Sequence, residues 1–417
     1  MGDMARKLVV CCDGTWNTPR TETNVFRTYR FLREALGSPA EVSRGEGVRT
    51  CGGRAADGSE VVLFYDAGVG THWFDRLLGG GVGAGLSDNV RDAYHFLGHN
   101  FAPGTDIYLF GFSRGAYTAR SLCGFIKAAG LLDKPSVKAV WRTYMDRYVM
   151  IDHASARVVA RPSGWDLDRI RGWLVSTAGD AVGRLGTDVD RLPTHGAVTI
   201  KFLGVYDTVG ALGVPIPAVA RVNEPIVGFH DTLLGDTVEN AVQALAVDEK
   251  RGPYVPAVWT QAANAAAIAG QSVLQVWFPG VHSDIGGGYH DKGVGDITWD
   301  FMMRQAADRG LVIDPRRPTP DLTLQALPAQ HDSFDRAWKD ISAKWKLIPE
   351  GVRAIGPTVT GPGGESLRVA PKVLLHPSLV HRIGKRCATI LDEKDNRRQD
   401  GDYVPANVKA DTLPVFG

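Results

Sequence analysis

A serine stands between two glycines in LFGFSRGAYTAR (109–120), directly after an apolar run and ahead of a helix-forming stretch. In a strand–turn–helix setting, Gly-x-Ser-x-Gly puts a serine hydroxyl on a turn too sharp for flanking side chains. Gly111 and Gly115 therefore read as a nucleophile elbow and Ser113 as the nucleophile. A serine alcohol attacks a carbonyl only when a base takes its proton and an acid orients that base. Two later apolar runs end in suitable residues: GVYDTVG (204–210) supplies Asp207, and FPGVHSDIGGGY (278–289) supplies His282. Asp284, two residues beyond the histidine, is a second candidate to orient it or to support the site. The chemistry such a set performs is two-step acyl transfer.

Acyl transfer also needs amides aimed at the oxygen that becomes negative. One belongs to the residue after the nucleophile, Arg114, and the loop CCDGTWN (11–17) offers the rest, with Gly14 and Thr15 as hole residues and Asp13 holding the loop. Competing chemistries have weaker signals. His95 and His99 are four apart, a metal-ligand spacing, but no glutamate lies between them in metalloprotease register, and they read as helix-surface residues. Gly79, Gly81 and Ala84 fit G-x-G-x-x-A formally, but WFDRLL separates them from the preceding strand, and no GxxxxGK[ST] is found. No cofactor and no metal is expected. The rival reading is a divalent ion gathered by Asp13, Asp207 and Asp284, or a hydrolase-fold binding protein without catalysis.

The elements that must position these residues follow a repeated grammar. KLVVCC (7–12), VVLFY (61–65), DIYLFGF (106–112), TIKFLGVY (199–206) and SVLQVWF (272–278) are continuous apolar runs, the pattern of strands covered on both faces. Between them, 24–36, 87–101 with Ser87 or Asp88 as N-cap, and 115–130 ending on glycine read as helices. Alternation of this kind predicts an α/β fold with a mainly parallel, doubly wound sheet. Residues 131–198 read as a helical insertion and 309–372 as an irregular excursion or cap, both within a single domain spanning 1–417. The glycine-rich 74–88 is a candidate mobile loop beside the site. The apolar, proline-bearing 211–229 reads either as an acyl-binding wall or lid or as ordinary packing.

Composition narrows the partners. Across 417 residues, 47 basic against 46 acidic side chains give a net charge of +1, so no whole-protein field draws the chain to nucleic acid. The apolar run ahead of Asp13 is too short for a signal peptide, Arg6 breaks the myristoylation pattern, and no apolar stretch is long enough to span a bilayer. A protein that is cytoplasmic as synthesised is expected. Five cysteines suggest no disulfide framework, and Cys11 and Cys12 read as small buried strand residues in a reducing compartment.

CCDGTWN, FYDAGVGT (64–71), GFSRGAYTAR (111–120), GVYDTVG, ALAVDEKRGPYVP (244–256), WFPGVHSDIGGGY (277–289), GDITWDFM (295–302) and HPSLVHRI (376–383) occur in one order along the chain. Together they resemble the uncharacterised-domain α/β hydrolases, a bacterial and fungal family that includes the class 1 type VI secretion lipase effectors. The resemblance implies an α/β-hydrolase fold and a lipase-like serine hydrolase with Ser113, Asp207 and His282 as its triad. For effector members it implies a phospholipase that meets a membrane surface, secretion machinery and an immunity protein, exported without a cleaved signal peptide. A cytosolic esterase or thioesterase acting on small acyl compounds is the alternative within the same chemistry.

Overall fold

The computed structural model describes residues 5–14, 17–44, 47–68, 84–133, 194–209, 234–252, 254–261, 270–313, 327–333, 351–356, 358–360, 366–369, 374–392, 397–408 and 414–416. Each apolar run foreseen as a strand becomes one: β1 (Arg6–Cys12), β4 (Glu60–Asp66), β5 (Thr105–Phe112), β6 (Ile200–Tyr206) and β9 (Ser272–Phe278). They join β2 (Val42–Arg44), β3 (Val48–Arg54), β7 (Asn240–Ala246) and β13 (Leu374–Leu375) in a nine-stranded sheet of order β13-β9-β7-β6-β5-β1-β4-β3-β2. The run from β13 to β4 is parallel throughout, and β3 and β2 add an antiparallel edge.

Successive side chains of a strand point to opposite faces, so a continuous apolar run feeds two cores. In β5, Tyr108, Phe110 and Phe112 pack into one cluster with α1 (Asn24–Ala35). Ile107 and Leu109 pack into the other, with α2 (Ala84–Asn100) and α3 (Arg114–Ala129). The first cluster also takes Trp299, Phe301, Met302 and Met303 of α5 (Gly293–Ala307). Helices thus cover both faces, and the sheet is doubly wound.

Two readings change. Helix α2 begins at Ala84, so positions 87 and 88 lie inside it rather than at its start. Strand β7, NAVQALA, had no strand signal because it lacks β-branched density, yet its last six residues are buried. Its central Gln243 is held by Thr208 at 2.6 Å and by Gln275 of β9, its register partner, at 3.1 Å.

Residues 309–372 contribute β10 (Gln330–His331), which joins β14 (Arg386–Asp392) and β15 (Arg397–Asp402), and β11 (Thr358–Thr360) and β12 (Ser366–Val369), which join β8 (Thr260–Gln261), in two small three-stranded sheets. Leu245, Trp277, Val369, Leu379, Cys387 and Tyr403 share a third buried cluster, which fastens the C-terminal part of the chain to the β7–β9 side of the sheet. The expected helical insertion (131–198), the loop 74–88 and the segment 211–229 lie almost wholly or wholly outside the described residues.

Candidate active site

The elbow is built by two close approaches. A Cβ on Gly111 would lie 2.5 Å from Ala116 Cα, and one on Gly115 would lie 2.1 Å from the Cys12 carbonyl oxygen. Only glycine lets β5 reverse into α3 against the end of β1. Ser113, between them, takes φ 56° and ψ −121°, a conformation that a side chain rarely adopts. Its amide donates to the Tyr206 carbonyl at 3.1 Å, which ties the turn to the end of β6.

The next residue after β6 is Asp207, also at positive φ (40°) and fully buried. His282 begins the short helix α4 (His282–Gly286) beyond β9. His282 Nε2 lies 2.9 Å from Ser113 Oγ, and its Nδ1 lies 2.6 Å from Asp207 Oδ2. The structure therefore brings together residues 113, 207 and 282 at the carboxyl edges of β5, β6 and β9. The ring is packed between Phe112, at 4.7 Å between centroids, and Tyr254, edge-on at 4.9 Å.

Charges are dense around this imidazole. Asp207 accepts from Arg353 at 2.7 and 2.9 Å and from the Ala246 amide at 3.0 Å. Burial alone would raise the Asp207 carboxyl; Arg353 and His282 outweigh it and hold the group well below the usual carboxylate range. Glu249 accepts the His282 amide at 3.2 Å and the Ser333 hydroxyl at 2.8 Å. Although buried, Glu249 is brought down to about 2 by Arg251, whose guanidinium meets it at two oxygens, 2.9 Å each. Burial lowers the His282 pKa, against the opposing pull of Asp207. Burial thus favours the neutral form of the ring.

The loop after β1 approaches from the other side. A Cβ on Gly14 would lie 3.1 Å from Ser113 Cβ, so glycine is what permits the contact. The Gly14 amide, however, donates to Asp13 Oδ1 at 2.7 Å, so Gly14 gives close approach while its N–H serves Asp13. Thr15 lies outside the described residues. Arg114 opens α3, and its amide belongs to the helix N-terminal donors that favour a developing negative charge.

Asp13 is buried at the head of this loop. It accepts from the Thr23 hydroxyl (2.6 Å), the Tyr65 hydroxyl (2.9 Å) and Asn17 (3.1 Å), and burial pushes its pKa to about 6. Thr23 in turn caps α1 by accepting the Phe26 amide.

Asp284 does not meet His282. It accepts from His331 Nδ1 at 2.6 Å and from the Val281 and His331 amides at 3.0 Å each, and so ties the histidine-bearing turn to residue 331. Asp13, Asp207 and Asp284 thus each have separate partners, and among the described residues no three His, Cys, Asp or Glu side chains form a metal-holding group. His95 and His99 stack on each other along α2, ring centroids 4.3 Å apart.

Sequence reasoning missed Arg353, Glu249, Arg251 and Tyr254 as members of the site. The last three sit in ALAVDEKRGPYVP, a motif quoted for its family resemblance without a role. Arg353 lies in the proline-rich stretch and carries no local signal at all.

A family model described as "T6SS, Phospholipase effector Tle1-like, catalytic domain" matches residues 6–305. Uncharacterized protein YEL023C of Saccharomyces cerevisiae is 25% identical over 286 residues, 61% of this chain and 34% of that protein, so the chain spans about a third of that curated relative's length. Among solved structures, an uncharacterized protein from Pseudomonas aeruginosa aligns at 17% identity and TM-score 0.35, covering 73% of this chain and 46% of that one. The Tle1 effector bound to the VgrG spike of the type VI secretion system aligns at 18% identity and TM-score 0.34, covering 69% and 52%. The propionate-bound esterase Est2 of Thermogutta terrifontis aligns at 11% identity and TM-score 0.33, covering 75% and 85%.

Proposed function

The chain belongs to the Tle1-like catalytic-domain family of type VI secretion phospholipase effectors, and on that premise we propose that it is a serine ester hydrolase of α/β-hydrolase type, acting on phospholipid. The observation that carries this reading is the unbroken relay from Ser113 Oγ through His282 (2.9 Å, then 2.6 Å) to Asp207.

In the proposed mechanism His282 Nε2 takes the Ser113 proton as Oγ attacks the ester carbonyl, and Asp207 holds the Nδ1–H tautomer and stabilises the imidazolium. The amide of Arg114 faces the tetrahedral oxyanion, α3 adds its N-terminal dipole, and Gly14, lacking a Cβ, leaves the approach to Ser113 open. The imidazolium protonates the leaving alcohol. Water, activated by the same nitrogen, then releases the fatty acid and restores Ser113.

Among the described residues no helix is long and apolar enough to cross a membrane. In this reading the substrate is a lipid met at a membrane surface. Family membership extends the proposal to delivery by the type VI apparatus, with a component of that machinery as partner. Hydrolysis of phosphatidylethanolamine–phosphatidylglycerol vesicles, set against soluble short-chain esters and thioesters, tests it. Fatty acid release from vesicles by the wild type and none by Ser113→Ala supports it. Turnover of the soluble compounds alone points to the small-molecule esterase.

A further inference from the structure

An aspartate that steadies a catalytic imidazolium does so with its negative charge, and here that charge is already met. Arg353 donates Nη1 to Asp207 Oδ1 and Nη2 to Oδ2, a two-pronged contact at 2.7 and 2.9 Å across 146 residues of sequence. Its side chain is 5% exposed and that of Asp207 is 0% exposed, so the pair is shielded from water. Two planar groups joined at both prongs share a plane, and this fixes where the second lone pair of Oδ2 points. That direction is toward His282 Nδ1, 2.6 Å away.

The arginine is itself firmly held. Its Nη1 also donates to the Ala246 carbonyl and its Nη2 to the Tyr254 carbonyl, while its own carbonyl accepts from Asn407 Nδ2 at 3.0 Å. The Gly351 amide pins the same strand of loop to Lys250 at 2.9 Å. Arg353 and Asn407 both lie beyond the 6–305 span of the catalytic-domain match. Asp207, Glu249 and Arg251 act on His282 directly, and Arg353 acts on the two carboxylates. With a neutral imidazole the cluster sums to zero, so protonation of His282 is left without a net counter-charge.

We propose that Arg353 is a positioning residue for the triad: its fork sets the plane of the Asp207 carboxylate, and its charge balances that carboxylate so that His282 rests as a neutral base. This rests on the serine hydrolase reading above. Removing the cation leaves Asp207 to draw a proton onto His282, which moves the acid limb of activity to higher pH. Replacing the fork by a lysine keeps the charge and loses the plane.

The test compares Arg353→Lys and Arg353→Met with the wild type by the pH dependence of fluorophosphonate labelling of Ser113. In parallel, the His282 ring is titrated by NMR, its signal assigned by loss in His282→Gln. The expected result is about tenfold slower labelling in Arg353→Lys with the acid limb unmoved, and in Arg353→Met an upward move of both limb and ring titration by about one pH unit. Folded variants with the wild-type labelling rate and the wild-type limb overturn the proposal and leave the hydrolase intact. Should Arg353→Met fail to fold, an Arg353→Lys variant that labels at the wild-type rate overturns it alone. A folded wild type that never labels overturns the hydrolase reading first and this proposal with it.

Discussion

A Cβ built on Gly115 falls 2.1 Å from the carbonyl oxygen of Cys12, closer than any side chain tolerates. The start of α3 and the end of β1 are therefore in backbone contact, and Ser113 is held at φ 56° between them.

Gly115→Ala is accordingly expected to lose ~3 kcal/mol of stability, because the neighbour that must move is backbone. Denaturant unfolding checks this. A midpoint equal to that of the wild type contradicts the contact.

Asp13→Ala strips the Thr23 and Tyr65 hydroxyls and the Gly14 amide of their common acceptor. Leaving such groups buried and unpaired costs about 3 kcal/mol. The larger expected effect is on turnover, since Gly14 loses its anchor beside Ser113: kcat falls more than tenfold while the Ser113–His282 pair stays in place. Unchanged kcat would separate this loop from the chemistry.

The titration of His282 fixes the pH response. Its pKa lies below the ordinary 6.5 because burial disfavours the imidazolium. In the proposed mechanism the base must be unprotonated to act, so the acid limb of kcat/KM is expected to be centred below 6.5. Stability moves with the same sign: the unfolded chain takes up a proton near 6.5 that the folded ring refuses, so folding weakens as pH falls through that point. Asp207, depressed in the folded state, adds stability that is present above the ordinary carboxylate pKa of 3.8 and fades at more acidic pH. An acid limb centred above 6.5 contradicts the described surroundings of the ring.

The strands that carry Ser113, Asp207 and His282 were legible because a strand buried on both faces must be apolar at every position, as in DIYLFGF and TIKFLGVY. The elbow glycines were legible because only one residue type fits a backbone contact of that closeness. Strand β7 was not, since NAVQALA satisfies its burial through a Gln243–Gln275 pair that no periodicity reveals. Asp284, expected to orient His282 or to support the site, has a partner that the sequence did not reveal, since His331 is 47 residues away. Arg353, held by contacts to residues 207, 246 and 254, had nothing in its own neighbourhood to mark it.

The central claim is that Ser113 is an activated nucleophile. Intact-mass detection of fluorophosphonate labelling measures this most directly, with wild type, Ser113→Ala and His282→Ala side by side. One adduct on the wild type, none on Ser113→Ala, and labelling slowed at least a thousandfold in His282→Ala, about the scale expected for loss of a triad base, is the predicted result. A folded wild type that takes up no label, or a Ser113→Ala variant that labels equally well, contradicts it.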